Sequence, residues 1–371
     1  MEKFIIYKVN NILYYTMGIK SLRTLIEKYA KEAITEKHLN SYKNEIITID
    51  TSLYMYRIKY SNNNKFIGGF IKQIIRFLRN GIIPVYIFDG KPPKAKDFVL
   101  QTRKDKKITL NEKIKEVGEL IQKAIVEPDM LKNVEKFKVK ELVNGKVGLE
   151  RECTLEDLKE EYAKLNKRNI CVRRADFEKL RELFNHMGIP YIISNGEAET
   201  LCAKLCRCGM VKGCLSEDMD ILPNGGKIFL KNFNSNKNII KEFNLEVILE
   251  KMDITYEQFI DICILCGCDY CPKISGIGPV NAYRLIKKHK CIEEVLNNLS
   301  IKNKVPDNFN YKNARELFIC EYEGICELTD QMKLKQPNME ILAQFMKDNE
   351  VSTRIDKIIN KSLVKYHNNI L

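Results

Sequence analysis

Three apolar runs organise the first two thirds of the chain, and each closes on an acid. They are Glu45-Ile46-Ile47-Thr48-Ile49-Asp50, Ile82-Ile83-Pro84-Val85-Tyr86-Ile87-Phe88-Asp89, and Met210-Val211-Lys212-Gly213-Cys214-Leu215-Ser216-Glu217-Asp218. Short, nearly continuous apolar runs of this kind predict strands buried on both faces of a parallel sheet. Helical periodicity fills the spaces before the second and third, over about residues 66–79 and 197–208. Strands alternating with helices predict an α/β fold with a mainly parallel central sheet flanked by helices.

Around this core the pattern changes. Residues 91–175 are highly charged and helical in character; within them, 91–125 carry ten Lys or Arg against five Asp or Glu. A basic arch or lid over a site is one reading, and a solvated helical insertion is the blander one. The Lys- and Glu-rich stretch 129–160 takes no clear assignment. Residues 255–300 predict a helical module around Ile274-Ser275-Gly276-Ile277-Gly278-Pro279, and a frayed tail is expected at Tyr366–Leu371. The expected divisions are 1–16, an extension; 17–125, an N-terminal region with the start of the arch; 126–175, the arch or insertion; 176–300, an internal region with its hairpin module at about 262–290; and 301–371, a helical C-terminal region.

The 371 residues, 44% of them hydrophobic, suffice for a large core and exclude global disorder. No apolar run reaches the roughly 18 to 20 residues of a membrane-spanning helix. A formal net charge of +13 favours a polyanionic partner, nucleic acid or an anionic membrane surface. Thirteen cysteines without a secretory peptide predict a reducing compartment and buried thiols rather than a disulfide scaffold. Residues 1–16, poor in acids, are also weighed as a mitochondrial presequence. Cys263, Cys266, Cys268 and Cys271 have a spacing that suits zinc, yet the first two sit in an apolar helical run that suits plain core packing.

The chemistry concentrates in the carboxylates. Ligand crevices of parallel sheets lie outside the carboxyl ends of the strands. Asp50, Asp89 and Asp218 are expected there, with Asp220 in the same loop as Asp218. Glu197 and Glu199 lie in Ser194-Asn195-Gly196-Glu197-Ala198-Glu199, where a glycine turn opens a helix. Acids crowded on one edge require neutralising cations, and all-oxygen ligands select Mg²⁺ or Mn²⁺. A pair of such ions about 3.5–4 Å apart is the device of in-line phosphodiester displacement. Separately, Gly276 and Gly278 before an amphipathic helix suit a DNA phosphate, or simply a helix–turn–helix connection.

In this order, the segments resemble the flap endonucleases of the XPG-type structure-specific 5′ nuclease family. The resemblance rests on Met17-Gly18-Ile19-Lys20-Ser21-Leu22, Ile49–Ser52, Pro84–Pro93, Met187–Tyr191, Gly196–Glu199, Glu217–Asp220, Gly267–Cys271 and Ile274–Pro279, and runs from about residue 17 to about 360. It implies a PIN-like nuclease core with a helical arch and a helix–hairpin–helix module. Asp89, Glu197 and Glu199 would hold the first Mg²⁺, with Asp50 nearby, and Asp218, Asp220 and Asp269 the second; Mn²⁺ would substitute. Lys96 and Arg103 match the family's two basic residues at the base of the arch, and their spacing of seven suits one helix face. Tyr56 matches the aromatic on which the first unpaired base stacks, and a K⁺ ion would join the hairpin to duplex.

The function so implied is Mg²⁺-dependent cleavage of DNA near single-strand/duplex junctions in replication, repair or recombination, by a monomer. A 5′→3′ exonuclease and a bubble-type repair nuclease are alternatives within the family. An inactive junction-binding protein and a metal-free basic scaffold are alternatives outside it. Two departures stand out: sixteen residues precede the Met17 segment, making Met17 a candidate start, and the segment between Asp89 and Glu197 is long for a flap enzyme. The C-terminus lacks the family's sliding-clamp motif, so clamp recruitment is not expected. An intracellular location is expected, in the nucleus, or in a host's nucleus or cytoplasm for a viral chain.

Overall fold

A computed structural model describes residues 4–9, 19, 21–61, 66–132, 137–143, 146–234, 237–299, 304–351, 359 and 363. The strands are β1 (Phe4–Val9), β2 (Ile34–His38), β3 (Ile46–Asp50), β4 (Ile83–Phe88), β5 (Phe137–Val143), β6 (Lys146–Glu152), β7 (Tyr191–Ile193), β8 (Gly213–Leu215), β9 (Ile228–Asn234) and β10 (Ile239–Asn244). By internal contacts the chain forms two compact units, Thr16–Asp97 with Val172–Leu371, and Met1–Tyr15 with Phe98–Cys171.

The larger unit holds a 7-stranded sheet in the order β2-β10-β9-β8-β3-β4-β7. From β9 to β7 the pairings are parallel, whereas β10 and β2 add antiparallel edges. The three strands read from sequence lie side by side as β8-β3-β4. They are buried runs: Ile47, Ile49, Val85, Tyr86, Ile87, Cys214 and Leu215 are all fully enclosed. Helices Phe66–Arg79 and Ala198–Arg207 pack one on each side. The third strand stops at Leu215 because the chain then turns into a 3₁₀ turn, Met219–Ile221, capped by Asp218 accepting from the Asp220 N–H at 2.9 Å.

In the smaller unit the helical character read for residues 91–175 is interrupted by strands, which fall in the stretch 129–160 that the sequence left unassigned. Helix Asp97–Val126 and helix Leu155–Arg168 enclose a core with Val117, Ala124, Leu158 and Leu165, but between them runs the β5–β6 hairpin, to which β1 adds in parallel. The alternation in Phe137–Val143 and Lys146–Glu152 flanks Asn144-Gly145, a hairpin signal masked by the many Lys and Glu.

The predicted module at 255–300 is built from helices Tyr256–Cys266, Pro279–His289 and Ile292–Asn297. Cys263 and Cys266 are core residues of the first, and burial pushes the Cys266 and Cys271 thiols up to about 12. The described cysteines are free thiols. The Met17-Gly18 segment and the expected tail at 366–371 lie outside the described residues.

Candidate metal centre

Asp50 ends β3 and Asp89 follows β4, so the parallel sheet delivers both to one edge. Asp50 Oδ1 accepts the Leu53 N–H at 3.2 Å and Oδ2 accepts the Ser216 hydroxyl at 3.1 Å. Asp89 Oδ1 accepts the Ala198 N–H at 2.8 Å, and Oδ2 accepts the Ser52 hydroxyl. The turn after β4 needs Gly90, because a Cβ there would lie 2.0 Å from the Ser194 carbonyl oxygen. That close approach sets Asp89 against the start of helix Ala198–Arg207, whose N-cap is Glu197 and whose first turn holds Glu199.

Asp218 and Asp220 flank the start of the 3₁₀ turn, and Asp220 Oδ1 accepts the Ile19 N–H at 2.9 Å. Asp269 follows helix Tyr256–Cys266 after Gly267, whose φ of 90° reverses the chain. Tyr270 donates to Glu197 Oε2 at 2.6 Å. The Lys96 ammonium sits among these acids, paired with Glu197, 3.1 Å from Asp269 Oδ2 and 3.7 Å from Glu199 Oε1.

The acids form one electrostatic cluster. Burial raises the Asp50 carboxyl to about 7, with Asp89 and Asp218 adding repulsion. Burial first also pushes up Glu199, Asp218 and Asp220; Asp218 and Asp220 add repulsion on Glu199, Asp269 adds it on Asp218, and Asp218 and Asp269 add it on Asp220. Burial works against the Lys96 ammonium, but Glu199, Glu197 and Asp269 outweigh it and hold its pKa above the ordinary lysine value.

Among the described residues, Glu199 Oε1 and Asp220 Oδ2 are buried without a hydrogen-bond partner. A buried carboxylate oxygen left unsatisfied is costly unless a cation faces it; Lys96 faces Glu199 Oε1 at 3.7 Å, so Asp220 Oδ2 is the oxygen that calls for a further one. The donor set is wholly oxygen, which suits a hard divalent ion. In donor chemistry the residues therefore fit such a group, although among the described residues no group of three His, Cys, Asp or Glu side chains is already placed to hold an ion. The C-x2-C-x-C-x2-C cysteines do not form one either.

Lys96 ends a 3₁₀ turn, Lys94–Lys96, that runs directly into helix Asp97–Val126, the helix that carries Arg103. Arg103 belongs to the smaller unit. Tyr56 lies on helix Thr51–Ser61, directly after Asp50, and is 43% exposed. Gly276 has φ 81°, and Gly278 caps helix Pro279–His289 with nothing within 4 Å of an added Cβ. Sequence reasoning missed the supports Ser52, Ser216 and Tyr270. Ser216 and Tyr270 stand within two residues of quoted acids, but a hydroxyl beside an acid in sequence is too common a pattern to single out.

Among the described residues, no helix is long and apolar enough to cross a membrane. The model of the XPG N-terminal domain matches residues 17–109, and that of the XPG I-region matches 188–269. Flap endonuclease 1 of Entamoeba histolytica is 35% identical over 320 residues, covering 82% of this chain and 76% of that protein. Flap endonuclease 1 of Xenopus tropicalis is 33% identical over 347 residues, covering 89% and 81%. Among solved structures, flap endonuclease-1 from Methanococcus jannaschii superposes with a TM-score of 0.61 at 22% identity, covering 95% of this chain and 100% of that one. The catalytic core of Rad2 in complex with DNA substrate gives 0.62 at 21%, covering 93% and 99%. Both share the fold.

Proposed function

The chain belongs to the flap endonucleases of the XPG-type nuclease family, and from that premise we propose that it is a Mg²⁺-dependent 5′ nuclease of branched DNA. It cuts 5′ flaps near the single-strand/duplex junction and leaves a 5′-phosphate and a 3′-hydroxyl. The observation that carries this reading is the acidic cluster, in which Asp220 Oδ2 is buried without a hydrogen-bond partner.

Asp89, Glu197 and Glu199 would hold one ion with Asp50 beside them, and Asp218, Asp220 and Asp269 the other. Bound there, the ions lower the pKa of the attacking water and offset charge on the reacting oxygens, and Mn²⁺ substitutes. The fixed acids need no reorganisation during the reaction, because hydroxyls and backbone N–H groups already hold Asp50, Asp89 and Asp220. Lys96, already at the cluster, places a positive charge where the scissile phosphate must come, and Arg103 would be the second basic residue that the family resemblance assigns to this role. Tyr56 stacks the first unpaired base. The N–H groups of Gly276 and Gly278, with a K⁺ ion, hold the duplex backbone without reading sequence. The protein acts as a monomer on intracellular DNA, in the nucleus for a eukaryotic chain, in replication or repair.

Cleavage of labelled double-flap, bubble and nicked-duplex DNA, with Asp218→Ala as control, tests this. Mg²⁺-dependent incision at the flap junction, lost in the variant, is the expected result. Tight binding without cleavage in Mg²⁺ or Mn²⁺ would leave only a junction-binding protein.

A further inference from the structure

Tyr270 is a buried side chain that the proposed chemistry leaves without a role. Its hydroxyl donates to Glu197 Oε2 at 2.6 Å, while Lys96 pairs with Glu197 Oε1. The two oxygens of one carboxylate therefore have partners of different kinds. Lys96 is a flexible cation that competes with a metal ion for the same oxygen. Tyr270 is a neutral donor on a rigid ring: it fixes the plane of the carboxylate and adds no charge that would repel an ion.

The ring itself is braced. Tyr270 is 7% exposed and meets Phe318 edge-on, with centroids 5.2 Å apart at 63°. Phe318 belongs to helix Tyr311–Ile319, and its carbonyl accepts the buried Lys204 ammonium at 2.8 Å. Lys204 lies on the helix that Glu197 caps. The support thus closes on itself: Glu197 begins the helix, Lys204 on that helix holds Phe318, Phe318 holds the Tyr270 ring, and Tyr270 holds Glu197. Just beyond that helix, the Tyr322 hydroxyl accepts the Asn195 N–H at 3.0 Å, two residues before Glu197. Partners that orient a metal ligand in this way are commonly as consequential as the ligand.

We propose that Tyr270 is a positioning residue, which presents Glu197 Oε1 to a divalent ion, and that helix Tyr311–Ile319 acts on the metal centre through it. The inference rests on the reading of the acidic cluster as a metal site. The test is a titration of the full chain with Mn²⁺ alone, following free Mn²⁺ by electron paramagnetic resonance. Tyr270→Phe keeps the ring and removes the hydroxyl. It is expected to weaken Mn²⁺ binding about tenfold, to lower the melting temperature in EDTA by the loss of one buried hydrogen bond without unfolding the chain, and to lose cleavage at low Mn²⁺ but regain it at high Mn²⁺. Phe318→Leu keeps the hydroxyl and loosens its brace; a smaller shift in the same direction is expected. Wild-type affinity in both variants, with Asp218→Asn weakened, overturns the role of Tyr270 and leaves the metal site standing. A wild-type chain that binds no Mn²⁺ overturns both.

Discussion

Lys96 Nζ stands 3.1 Å from Asp269 Oδ2, and the same ammonium pairs with Glu197 and Glu199. A single lysine thus neutralises acids contributed by two distant segments. Its removal has opposite effects on two measurements. In Lys96→Met the repulsion among the acids is uncompensated, so the melting temperature in EDTA falls at pH 8. The site also loses its internal competitor, so Mn²⁺ binds severalfold tighter. Cleavage nevertheless falls by about 10²- to 10³-fold, because a charge aimed at the phosphate is gone. Calorimetric melting, Mn²⁺ titration and single-turnover cleavage check the three expectations. Looser Mn²⁺ binding would show that Lys96 supports the acids rather than competing for them.

Asp50 gives the metal-free protein a pH dependence of definite sign. Burial, then the charges of Asp89 and Asp218, raises its carboxyl from 3.8 to about 7. The folded state therefore keeps a proton that the unfolded state has already released across that window. Stability is greatest below the unfolded value and declines as pH rises toward the folded one. Asp50→Asn removes this contribution. In EDTA, denaturant unfolding should show the variant gaining on the wild type between pH 5 and pH 8, by on the order of 1–2 kcal/mol. Parallel stability curves would contradict the assignment.

The two hairpin glycines separate a backbone requirement from a contact. Gly276 has φ 81°, so Gly276→Ala costs about 1–2 kcal/mol of stability wherever that conformation is retained. Gly278 has an ordinary φ of −97° and open space around an added Cβ. Gly278→Ala should fold normally, yet its methyl would project where a phosphate approaches the start of helix Pro279–His289. The dissociation constant for nicked duplex is expected to rise severalfold with an unchanged melting temperature. Unchanged duplex affinity would make the hairpin a plain connection between helices.

How much was legible follows from the range of each interaction. Buried parallel strands write themselves as short apolar runs, and the acids of β3 and β4 fall at their ends by construction, so Asp50, Asp89 and the Asp218 loop could be read from pattern. Asp269 follows a helix rather than a strand and was accessible only through resemblance. The bond from Tyr270 to Glu197 spans 73 positions. No local periodicity encodes such a pairing; it exists only once the segment after helix Tyr256–Cys266 has met the start of helix Ala198–Arg207.

Helix Tyr311–Ile319, which braces Tyr270 through Phe318, has its own test in Arg315. Its guanidinium reaches Asp261 through Nε and Nη2 at 2.9 Å each, and Glu293 through Nη1 at 3.0 Å. Asp261 is buried in helix Tyr256–Cys266, and one of its oxygens also accepts the Ile292 N–H at 3.1 Å. A single arginine on helix Tyr311–Ile319 therefore ties together helices Tyr256–Cys266 and Ile292–Asn297. Arg315→Ala leaves Asp261 buried beside Glu293 without a counter-ion, and a buried charge stripped of its partner costs about 3 kcal/mol or more. Asp261→Asn in the Arg315→Ala background removes that charge and should recover part of the loss. The double-mutant cycle, measured by denaturant unfolding, is thus expected to be non-additive. An additive cycle would mean that Arg315 acts through the packing of its stem and not through Asp261.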